Sequence, residues 1–180
     1  MIVFLGDSLT EWAGNWNQLL NTEAEIRNMG IAGNTGFDIQ DRLDGVLDLQ
    51  PNTVFLMFGA NDIFQGYNTD IIIATYREIL SSILISTGGK VIIQSTLPVS
   101  NQSDIFRKMN ESITDINKNL ILLAGEMNLD YLDLHSKFKS ENELNPKYTT
   151  DGVHLSDFGY EIWSGILLEK YPDLFPPKQD

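Results

Sequence analysis

The 180-residue chain contains no cysteine. This absence excludes disulfide bridges, thiol nucleophiles and zinc sites with cysteine ligands. Histidine is also scarce, because His135 and His154 are the only two in the sequence. The motif H-E-x-x-H is absent, and two histidines are too few for a typical zinc site. The sequence therefore predicts no metal centre.

Basic residues are few as well. Lysine and arginine number 12 against 25 aspartates and glutamates, which gives a formal net charge of −13. Nucleic acids and anionic lipid surfaces attract proteins through basic patches, so this composition argues against both kinds of partner. No apolar run approaches the roughly 20 residues that a membrane-spanning helix needs. We therefore expect no nucleic-acid binding and no stable membrane association.

No secretory signal precedes the first predicted strand. The chain has neither a basic segment nor a small-residue cleavage site ahead of Ile2. A cysteine-free chain also suits a reducing compartment. These two observations predict a cytoplasmic protein.

Three common motifs for nucleotide binding or hydrolysis are missing. The glycines at positions 30, 33 and 36 do not have the spacing G-x-G-x-x-G, so the support for a dinucleotide site is weak. No G-x-x-x-x-G-K-[ST] exists, which excludes a P-loop. No serine lies in G-x-S-x-G, which excludes the nucleophile elbow of the ordinary α/β-hydrolase fold.

The sequence does contain a regular alternation of apolar strands and amphipathic helices. Residues 3–5 and 53–58 are unbroken apolar runs, which favour strands that are buried on both faces. Such strands belong to parallel sheets with helices on both sides. We predict a single domain over residues 1–180, with a three-layer α/β/α, flavodoxin-like fold and a five-stranded parallel sheet.

The periodicity also places the individual elements. Strands are expected near residues 2–5, 24–29, 53–58, 91–95 and 129–134. Long helices are expected near residues 37–49, 70–87, 104–127 and 157–170. Residues 137–150 are polar, and the sequence predicts an irregular segment there.

Gly6-Asp7-Ser8-Leu9 directly follows the first predicted strand. Gly6 permits a sharp change of backbone direction. Ser8 is then placed beyond the carboxyl end of an interior strand, where ligands bind in open α/β sheets. Serine is also a common N-cap residue, and position alone favours that role. A nucleophilic Ser8 requires a base, an orienting acid and oxyanion donors elsewhere in the chain.

Asp151-Gly152-Val153-His154 precedes the last predicted helix. Across so short a turn, the Asp151 carboxylate can reach Nδ1 of His154 and leave Nε2 available to a serine hydroxyl. Taken singly, Asp151 and His154 are each compatible with an ordinary helix entrance. His135 follows the fifth predicted strand without an acidic or glycine-rich context, which favours a surface or capping role.

Two further polar stretches follow strands at the same edge of the predicted sheet. Asn61 comes after the third strand, and its amide can donate to a developing oxyanion. Asn61 is equally compatible with an ordinary turn. Gly33 has no Cβ, so its N–H is open to a ligand atom, although backbone geometry alone would also account for this glycine. Together with the Ser8 N–H, these two groups form a physically reasonable oxyanion hole.

At four places the sequence resembles the SGNH hydrolases, also called GDSL esterases/lipases. The matching blocks, in the family's order and spacing, are Gly6-Asp7-Ser8-Leu9, Gly33 in its loop, Gly59-Ala60-Asn61-Asp62 and Asp151-Gly152-Val153-His154. The resemblance implies a catalytic triad of Ser8, His154 and Asp151. It also implies an oxyanion hole of Ser8, Gly33 and Asn61, and the flavodoxin-like fold that the strand–helix alternation predicts independently.

The activity that this resemblance implies is that of a serine esterase, which cleaves carboxylic esters through an acyl-enzyme without a metal or cofactor. The absence of an evident lid favours small or short-acyl esters, O-acetylated carbohydrates among them. A lysophospholipase, a thioesterase or an acyltransferase would use the same triad. An inactive domain that binds acylated glycans is an alternative of another class. The expected partner is a small-molecule ester, and the sequence carries no signal for an oligomeric state.

Five aromatic residues lie in segments that adjoin the four blocks. They are Trp12, Trp16, Phe37, Phe64 and Tyr67. Each is a candidate for lining an acyl or sugar pocket. Core or loop packing is at least as well supported for all five, and especially for Trp16, which shares an apolar helical face with its neighbours.

Overall fold

The computed structural model describes residues 1–178 and has an α/β fold built on a five-stranded parallel sheet. The strands are β1 (Ile2–Gly6), β2 (Ile26–Gly30), β3 (Thr53–Met57), β4 (Lys90–Gln94) and β5 (Asp130–Leu132). They lie in the order β2-β1-β3-β4-β5, and every neighbouring pair is parallel. This is the flavodoxin-like order, so the predicted fold class is confirmed.

The described helices cover both faces of the sheet. They are α1 (Ser8–Glu11), α2 (Trp16–Leu19), α3 (Gly36–Asp41), α4 (Leu43–Leu47), α5 (Ala60–Phe64), α6 (Thr69–Thr87), α7 (Asp104–Met127), α8 (His135–Phe138) and α9 (Asp157–Lys170). Short 3₁₀ helices span Pro146–Tyr148 and Pro172–Leu174. Within residues 1–178, no helix is both long enough and apolar enough to cross a membrane.

β1 and β3 form the centre of the sheet, and every residue in both strands is buried. Successive side chains of a strand point to opposite faces, so each strand contributes to two hydrophobic cores. On one face, Phe4 stacks against Phe55 and against Trp16 of α2. On the other face, Leu5 and Leu56 belong to a cluster with the helices α3, α4, α6 and α7. The two cores give the three layers.

The prediction of one continuous helix over residues 37–49 is wrong, because the structure has two helices there. α3 ends at Asp41 and α4 begins at Leu43. Arg42 lies between them with φ −110° and ψ 11°, which is not helical. Its guanidinium donates hydrogen bonds to the Asn34 side chain and to the Gly6 carbonyl. These contacts lie outside the helix itself, so the helical periodicity could not reveal the interruption.

The segment predicted to be irregular over residues 137–150 contains regular structure. The two-residue strands β6 (Lys139–Ser140) and β7 (Glu143–Leu144) form a small antiparallel pair. Leu144 is fully buried in the same core as β1 and β3, which anchors this segment despite its polar composition. β5 is also shorter than predicted, since it covers only Asp130–Leu132 of residues 129–134.

The segments that follow β1, β2 and β3 meet at the carboxyl edge of the sheet. Ile31, just after β2, donates its N–H to the Gly6 carbonyl oxygen at the end of β1, with 3.1 Å between nitrogen and oxygen. Gly36 donates its N–H to the carboxylate of Asp62 after β3 at 2.9 Å. The predicted convergence of these three segments is therefore present, at the edge where α/β sheets bind ligands.

Candidate active site

Ser8 is the first residue of α1, immediately after the turn that ends β1. Glycine is required at position 6, because an added Cβ would lie 2.5 Å from the backbone carbonyl oxygen of Met57 and would also meet the Thr10 hydroxyl. Asp7 is the N-cap of α1, and its carboxylate accepts a hydrogen bond from the Leu9 N–H at 3.0 Å. The capping role considered for Ser8 therefore belongs to Asp7, and the Ser8 hydroxyl is available for other contacts.

Ser8, His154 and Asp151 form one continuous chain of contacts. Ser8 Oγ lies 3.1 Å from His154 Nε2, and His154 Nδ1 lies 2.7 Å from Asp151 Oδ2. The second contact fits the tautomer that carries its proton on Nδ1, which leaves Nε2 as an acceptor for the serine hydroxyl. The fold thus brings together three predicted residues, although 146 positions separate Ser8 from His154.

The turn from Asp151 to His154 is held by its own backbone. Asp151 Oδ1 accepts hydrogen bonds from the N–H groups of Val153 and His154, at 2.9 and 2.7 Å. Gly152 between them has φ +88°, a conformation that favours glycine. Burial alone would raise the pKa of Asp151, but the hydrogen bonds from the His154 ring and from the two backbone N–H groups lower it to about 2. The carboxylate is therefore ionised at neutral pH.

Asn61 lies in the first turn of α5 and is tied to the loop that follows β2. Its side-chain nitrogen donates to the Asn34 carbonyl oxygen at 3.0 Å. An asparagine amide has two hydrogens, so the second can serve a ligand. Asn61 and Ser8 line the same cavity. Gly33 has φ +80° and open space where a Cβ would stand, but it is not among the residues that line this cavity.

Arg42 connects the loop of Gly33 and Asn34 with the end of β1. Its Nε donates to Asn34 Oδ1 at 2.7 Å, and its Nη2 donates to the Gly6 carbonyl oxygen at 3.1 Å. Gly6 is two residues before Ser8 in the chain. Arg42 could not be assigned to the site from the sequence, because its only sequence signal is a charged residue within a helical pattern.

Trp12 covers one face of the His154 imidazole. The two ring centroids are 3.9 Å apart, and the ring planes differ by 31°. The Trp12 side chain is itself 52% exposed, so it forms part of the rim of the site rather than part of the core. The contact limits the orientations that the imidazole can adopt.

The other four aromatic candidates divide between the site and the interior. Phe64 lines the cavity beside Ser8 and is 72% exposed. Trp16 is buried and stacks on Phe4, with 4.0 Å between ring centroids. Of the two roles considered for Trp16, it therefore has the one in core packing. Phe37 and Tyr67 pack edge-on against each other at 5.2 Å and do not line the cavity.

A cavity of about 230 Å³ opens beside Ser8 and His154. Most of its lining is apolar, and the apolar residues are Leu9, Ala60, Phe64, Phe106, Met109 and Val153. The last three of these belong to a small hydrophobic cluster behind the cavity. The sequence predicts a helix over residues 104–127, which contains Phe106 and Met109, but no local pattern connects either residue or Val153 with the site.

Two carboxylates are buried next to the site. Asp7 is 3% exposed and Asp62 is 2% exposed. Burial raises the pKa of Asp7 to about 7, although the hydrogen bond from the Leu9 N–H opposes the shift. Burial also raises the pKa of Asp62 to about 6, against the hydrogen bond from the Gly36 N–H. Asp7 therefore binds or releases its proton near neutral pH.

His135 is not part of the contact chain at Ser8. It is the first residue of α8, and its backbone N–H donates to Ser95 Oγ at 2.7 Å. Its imidazole is half-buried and makes no hydrogen bond within residues 1–178.

Within residues 1–178, no group of three or more histidines and carboxylates is placed to hold a metal ion.

The family model for the GDSL-like Lipase/Acylhydrolase family matches residues 4–162. The chain belongs to this family. The resemblance found in the four sequence blocks is thereby confirmed, and the chain is a carboxylic ester hydrolase of the GDSL class.

Relatives of this GDSL hydrolase are similar over most of its length. GDSL esterase/lipase CPRD49 of Arabidopsis thaliana is 25% identical over 196 residues, which cover 93% of this chain and 77% of that protein. Thioesterase 1/protease 1/lysophospholipase L1 of Escherichia coli K12 is 27% identical over 164 residues, which cover 85% and 74%.

Solved structures agree with the fold. The lipase/acylhydrolase of Enterococcus faecalis is 26% identical and matches with a TM-score of 0.76, covering 99% of this chain and 98% of that chain. A GDSL-like lipase of Bacteroides thetaiotaomicron is 24% identical and shares the fold with a TM-score of 0.84, covering 96% and 87%.

Proposed function

We propose that this GDSL hydrolase cleaves small or short-acyl carboxylic esters through an acyl-enzyme on Ser8. The observation that carries the proposal is the contact chain from Ser8 Oγ through the His154 imidazole to the Asp151 carboxylate, at 3.1 and 2.7 Å. In such an arrangement the imidazole accepts the serine proton, and the carboxylate holds the imidazole in the required tautomer.

In the first half of the reaction, Ser8 Oγ attacks the carbonyl carbon of the ester while His154 Nε2 takes the hydroxyl proton. The carbonyl oxygen becomes an oxyanion, which accepts hydrogen bonds from the backbone N–H groups of Ser8 and Gly33 and from the Asn61 amide. The tetrahedral intermediate then breaks its bond to the leaving alkoxide. That alkoxide receives the proton from His154, and the acyl group remains on Ser8.

In the second half, water takes the place of the alcohol. His154 accepts a proton from water, the resulting hydroxide attacks the acyl carbon, and Ser8 Oγ leaves with the proton returned by His154. Both halves pass through an imidazolium. The ionised carboxylate of Asp151, with its pKa near 2, stabilises that charge without itself taking up the proton. No step of this scheme requires a metal or cofactor.

The size of the cavity supports a short acyl group. A volume of about 230 Å³ holds roughly seven or eight groups of the size of a water molecule, at about 30 Å³ each. The ester group itself uses part of this space. A few acyl carbons fit against Leu9, Met109 and Val153, whereas a palmitoyl chain would extend beyond the rim at the exposed Phe64 ring.

O-acetylated carbohydrates fit the same arrangement. The acetyl group would enter the apolar cavity, and the sugar ring would remain outside at the open rim. The half-exposed Trp12 and the largely exposed Phe64 offer flat apolar surfaces there. These two rings support carbohydrate esters as one class of substrate within the proposal.

Thioester and lysophospholipid hydrolysis form a second candidate function. The observation that favours it is the relative from Escherichia coli K12, which is named thioesterase 1/protease 1/lysophospholipase L1. The proposed mechanism applies to a thioester without change, because the acyl carbon and the oxyanion are the same and only the leaving group differs.

A substrate panel tests the proposal. The panel consists of p-nitrophenyl acetate, butyrate, octanoate and palmitate, together with an acetylated sugar, an acyl thioester and a lysophospholipid. We expect kcat/KM to be highest for acetate or butyrate and to fall steeply toward palmitate. A preference for palmitate or for the lysophospholipid would contradict the short-acyl assignment and support the second candidate.

Variants of the contact chain separate catalysis on Ser8 from other sources of hydrolysis. We expect Ser8→Ala and His154→Ala each to lower kcat on p-nitrophenyl acetate by about 10⁴-fold or more. Ser86→Ala removes an exposed hydroxyl from α6 and should retain full activity. Circular dichroism verifies that all three variants are folded. Near-wild-type turnover by either of the first two would overturn the proposal.

A further inference from the structure

The turn that carries Asp151 and His154 is an irregular segment at the protein surface. It is neither helix nor strand, and the Asp151 side chain is half exposed. The residues on either side of the turn are joined through the backbone, because Ser156 donates its N–H to the Tyr148 carbonyl oxygen at 2.8 Å. Inside the turn, hydrogen bonds hold the acid and the base of the triad in place.

Thr149 comes two residues before Asp151, and its hydroxyl joins two parts of the turn. Oγ1 accepts a hydrogen bond from the Gly152 N–H at 2.8 Å and donates one to the His154 carbonyl oxygen at 2.6 Å. A hydroxyl can donate and accept at the same time, so one oxygen atom serves both contacts. Hydrogen bonds that are linked in this way polarise and strengthen one another. The Thr149 side chain therefore fixes the backbone of the turn at its middle and at its end.

Gly152 is also held from the interior of the protein. The backbone N–H of the buried Ser100 donates to the Gly152 carbonyl oxygen at 2.7 Å. The two residues are in close contact, because a Cβ added at position 152 would lie 2.3 Å from Ser100 Oγ. Both backbone groups of Gly152 are therefore bonded, the N–H to Thr149 and the carbonyl to Ser100. The Thr149 hydroxyl connects this anchored residue with the backbone of His154.

We propose that Thr149 is a positioning residue for the base of the triad, a role that rests on the proposed function of Ser8, His154 and Asp151. Thr149 is not among the residues that line the cavity beside Ser8, and its hydrogen bonds go to backbone groups. It acts through the backbone of His154, whose imidazole then keeps its contacts of 3.1 Å with Ser8 and 2.7 Å with Asp151. A displacement of about 1 Å in such a site can lower the rate about 100-fold.

A matched pair of threonine variants tests the contribution of the hydroxyl. Thr149→Val replaces the hydroxyl with a methyl group and keeps the β-branched shape of the side chain. It should lower kcat on p-nitrophenyl acetate by about tenfold or more, and KM should change little because Thr149 does not line the cavity. Thr150→Val makes the same change at the next residue, which is exposed and whose hydroxyl makes no hydrogen bond within residues 1–178. This control should retain the wild-type kcat.

A second pair of variants at the same position separates the hydroxyl from the space that the side chain fills. Thr149→Ser keeps the hydroxyl and loses the methyl group, whereas Thr149→Ala loses both. We expect Thr149→Ser to retain most of the wild-type kcat and Thr149→Ala to lose about as much as Thr149→Val. Recovery by serine is not expected of a residue that only fills space. Equal kcat values for the serine and alanine variants would overturn the role of the hydroxyl.

The rate of Ser8 labelling by a fluorophosphonate is an independent measure of the same role. This reaction involves no acyl-enzyme hydrolysis, but it also requires the imidazole to take the serine proton. We expect the labelling rate of Thr149→Val to fall by about tenfold or more, as kcat does, and that of Thr150→Val to remain unchanged. A folded Thr149→Val protein with the wild-type kcat and labelling rate would overturn the proposal, and so would an equal loss in both variants.

Thermal unfolding of each variant distinguishes positioning from a purely structural role. All kcat values are measured well below the unfolding temperature of the least stable variant, so a loss of activity does not reflect unfolded protein. If neither Thr149→Val nor Thr149→Ala folds, Thr149 is needed for the fold itself and the positioning role is overturned. Full activity in Ser8→Ala would instead contradict the proposed function. The two failures are therefore distinguishable.

Discussion

The side-chain nitrogen of Asn61 lies 3.0 Å from the carbonyl oxygen of Asn34 and donates a hydrogen bond to it. This bond joins the segment after β3 to the loop after β2. Arg42 contacts the Asn34 side chain and the end of β1 through two further hydrogen bonds. Asn61 and Gly33, the two proposed oxyanion donors outside α1, are therefore linked through Asn34 without a substrate, which is the preorganisation that oxyanion stabilisation requires.

The first prediction concerns Asn61 itself. Asn61→Ala should lower kcat on p-nitrophenyl acetate by about 10²–10³-fold, because one donor to the oxyanion is lost in the transition state. KM should change much less, since the ester carbonyl of the ground state uses this donor weakly. Asn119→Ala removes an amide from the surface of α7 and serves as the control. A change confined to KM would contradict the assigned role.

The second prediction concerns Arg42 as a positioning residue. Arg42→Met removes both hydrogen bonds that tie the loop of Asn34 to β1, and kcat should fall by roughly 10–100-fold through misplacement of the oxyanion donors. Arg42→Lys retains the charge and part of the hydrogen bonding, so it should recover part of the activity. Arg77→Met breaks an exposed ion pair with Glu126 and should remain fully active.

A double variant distinguishes this role from a general structural one. If Arg42 acts through the oxyanion loop, the cost of Arg42→Met should be much smaller in a protein that already carries Asn61→Ala. Independent, fully additive losses in kcat would contradict the positioning role. The comparison requires that both single variants and the double variant fold, which thermal unfolding checks.

The third prediction concerns the pH dependence of stability. Burial raises the pKa of Asp7 from 3.8 to about 7. For an acid shifted upward on folding, the stabilising contribution is complete below the unfolded pKa and is lost as pH rises through the folded pKa. Asp7→Asn cannot ionise and keeps an acceptor for the Leu9 N–H. This variant should therefore be more stable than the wild type at pH 8, and the difference should disappear near pH 4.

Urea unfolding at pH 4, 6 and 8 measures this difference. The gain at pH 8 should be as much as a few kcal/mol, because one unit of pKa corresponds to about 1.36 kcal/mol. Asp48→Asn, at an exposed position after α4, should show no gain that depends on pH in this way. Parallel stability profiles for Asp7→Asn and the wild type would show that Asp7 does not titrate as the buried geometry predicts.

Those parts of the fold that depend on a local sequence pattern could be predicted from the sequence. The unbroken apolar runs in residues 3–5 and 53–58 predicted two central strands, and both strands are fully buried. Parallel strands necessarily end at a common edge, so the polar stretches after β1, β2 and β3 could be placed together without a structure. The contact of Ser8 with His154 was implied by the resemblance to the SGNH hydrolases, because the position of the Asp151 block before the last helix does not by itself place it at this edge.

Other features of the site depend on contacts between distant segments, which local patterns do not record. Arg42 lies at the break between α3 and α4, and its side chain donates hydrogen bonds to Asn34 and Gly6, which are distant in the chain. Met109 fits the apolar stripe of α7 whether it faces the core or the cavity. Trp12 could be placed near the site from the sequence, but its stacking on His154 depends on the path of a turn 142 positions away in the chain (154 − 12).

The central claim is that Ser8 is an activated nucleophile. The most direct measurement is covalent labelling with a fluorophosphonate, followed by peptide mass spectrometry to locate the adduct. We expect a single adduct on Ser8, no adduct in Ser8→Ala, and a much slower reaction in His154→Ala, because the imidazole no longer removes the hydroxyl proton. A folded wild-type protein that remains unlabelled, or that is labelled at another serine instead, would contradict the account.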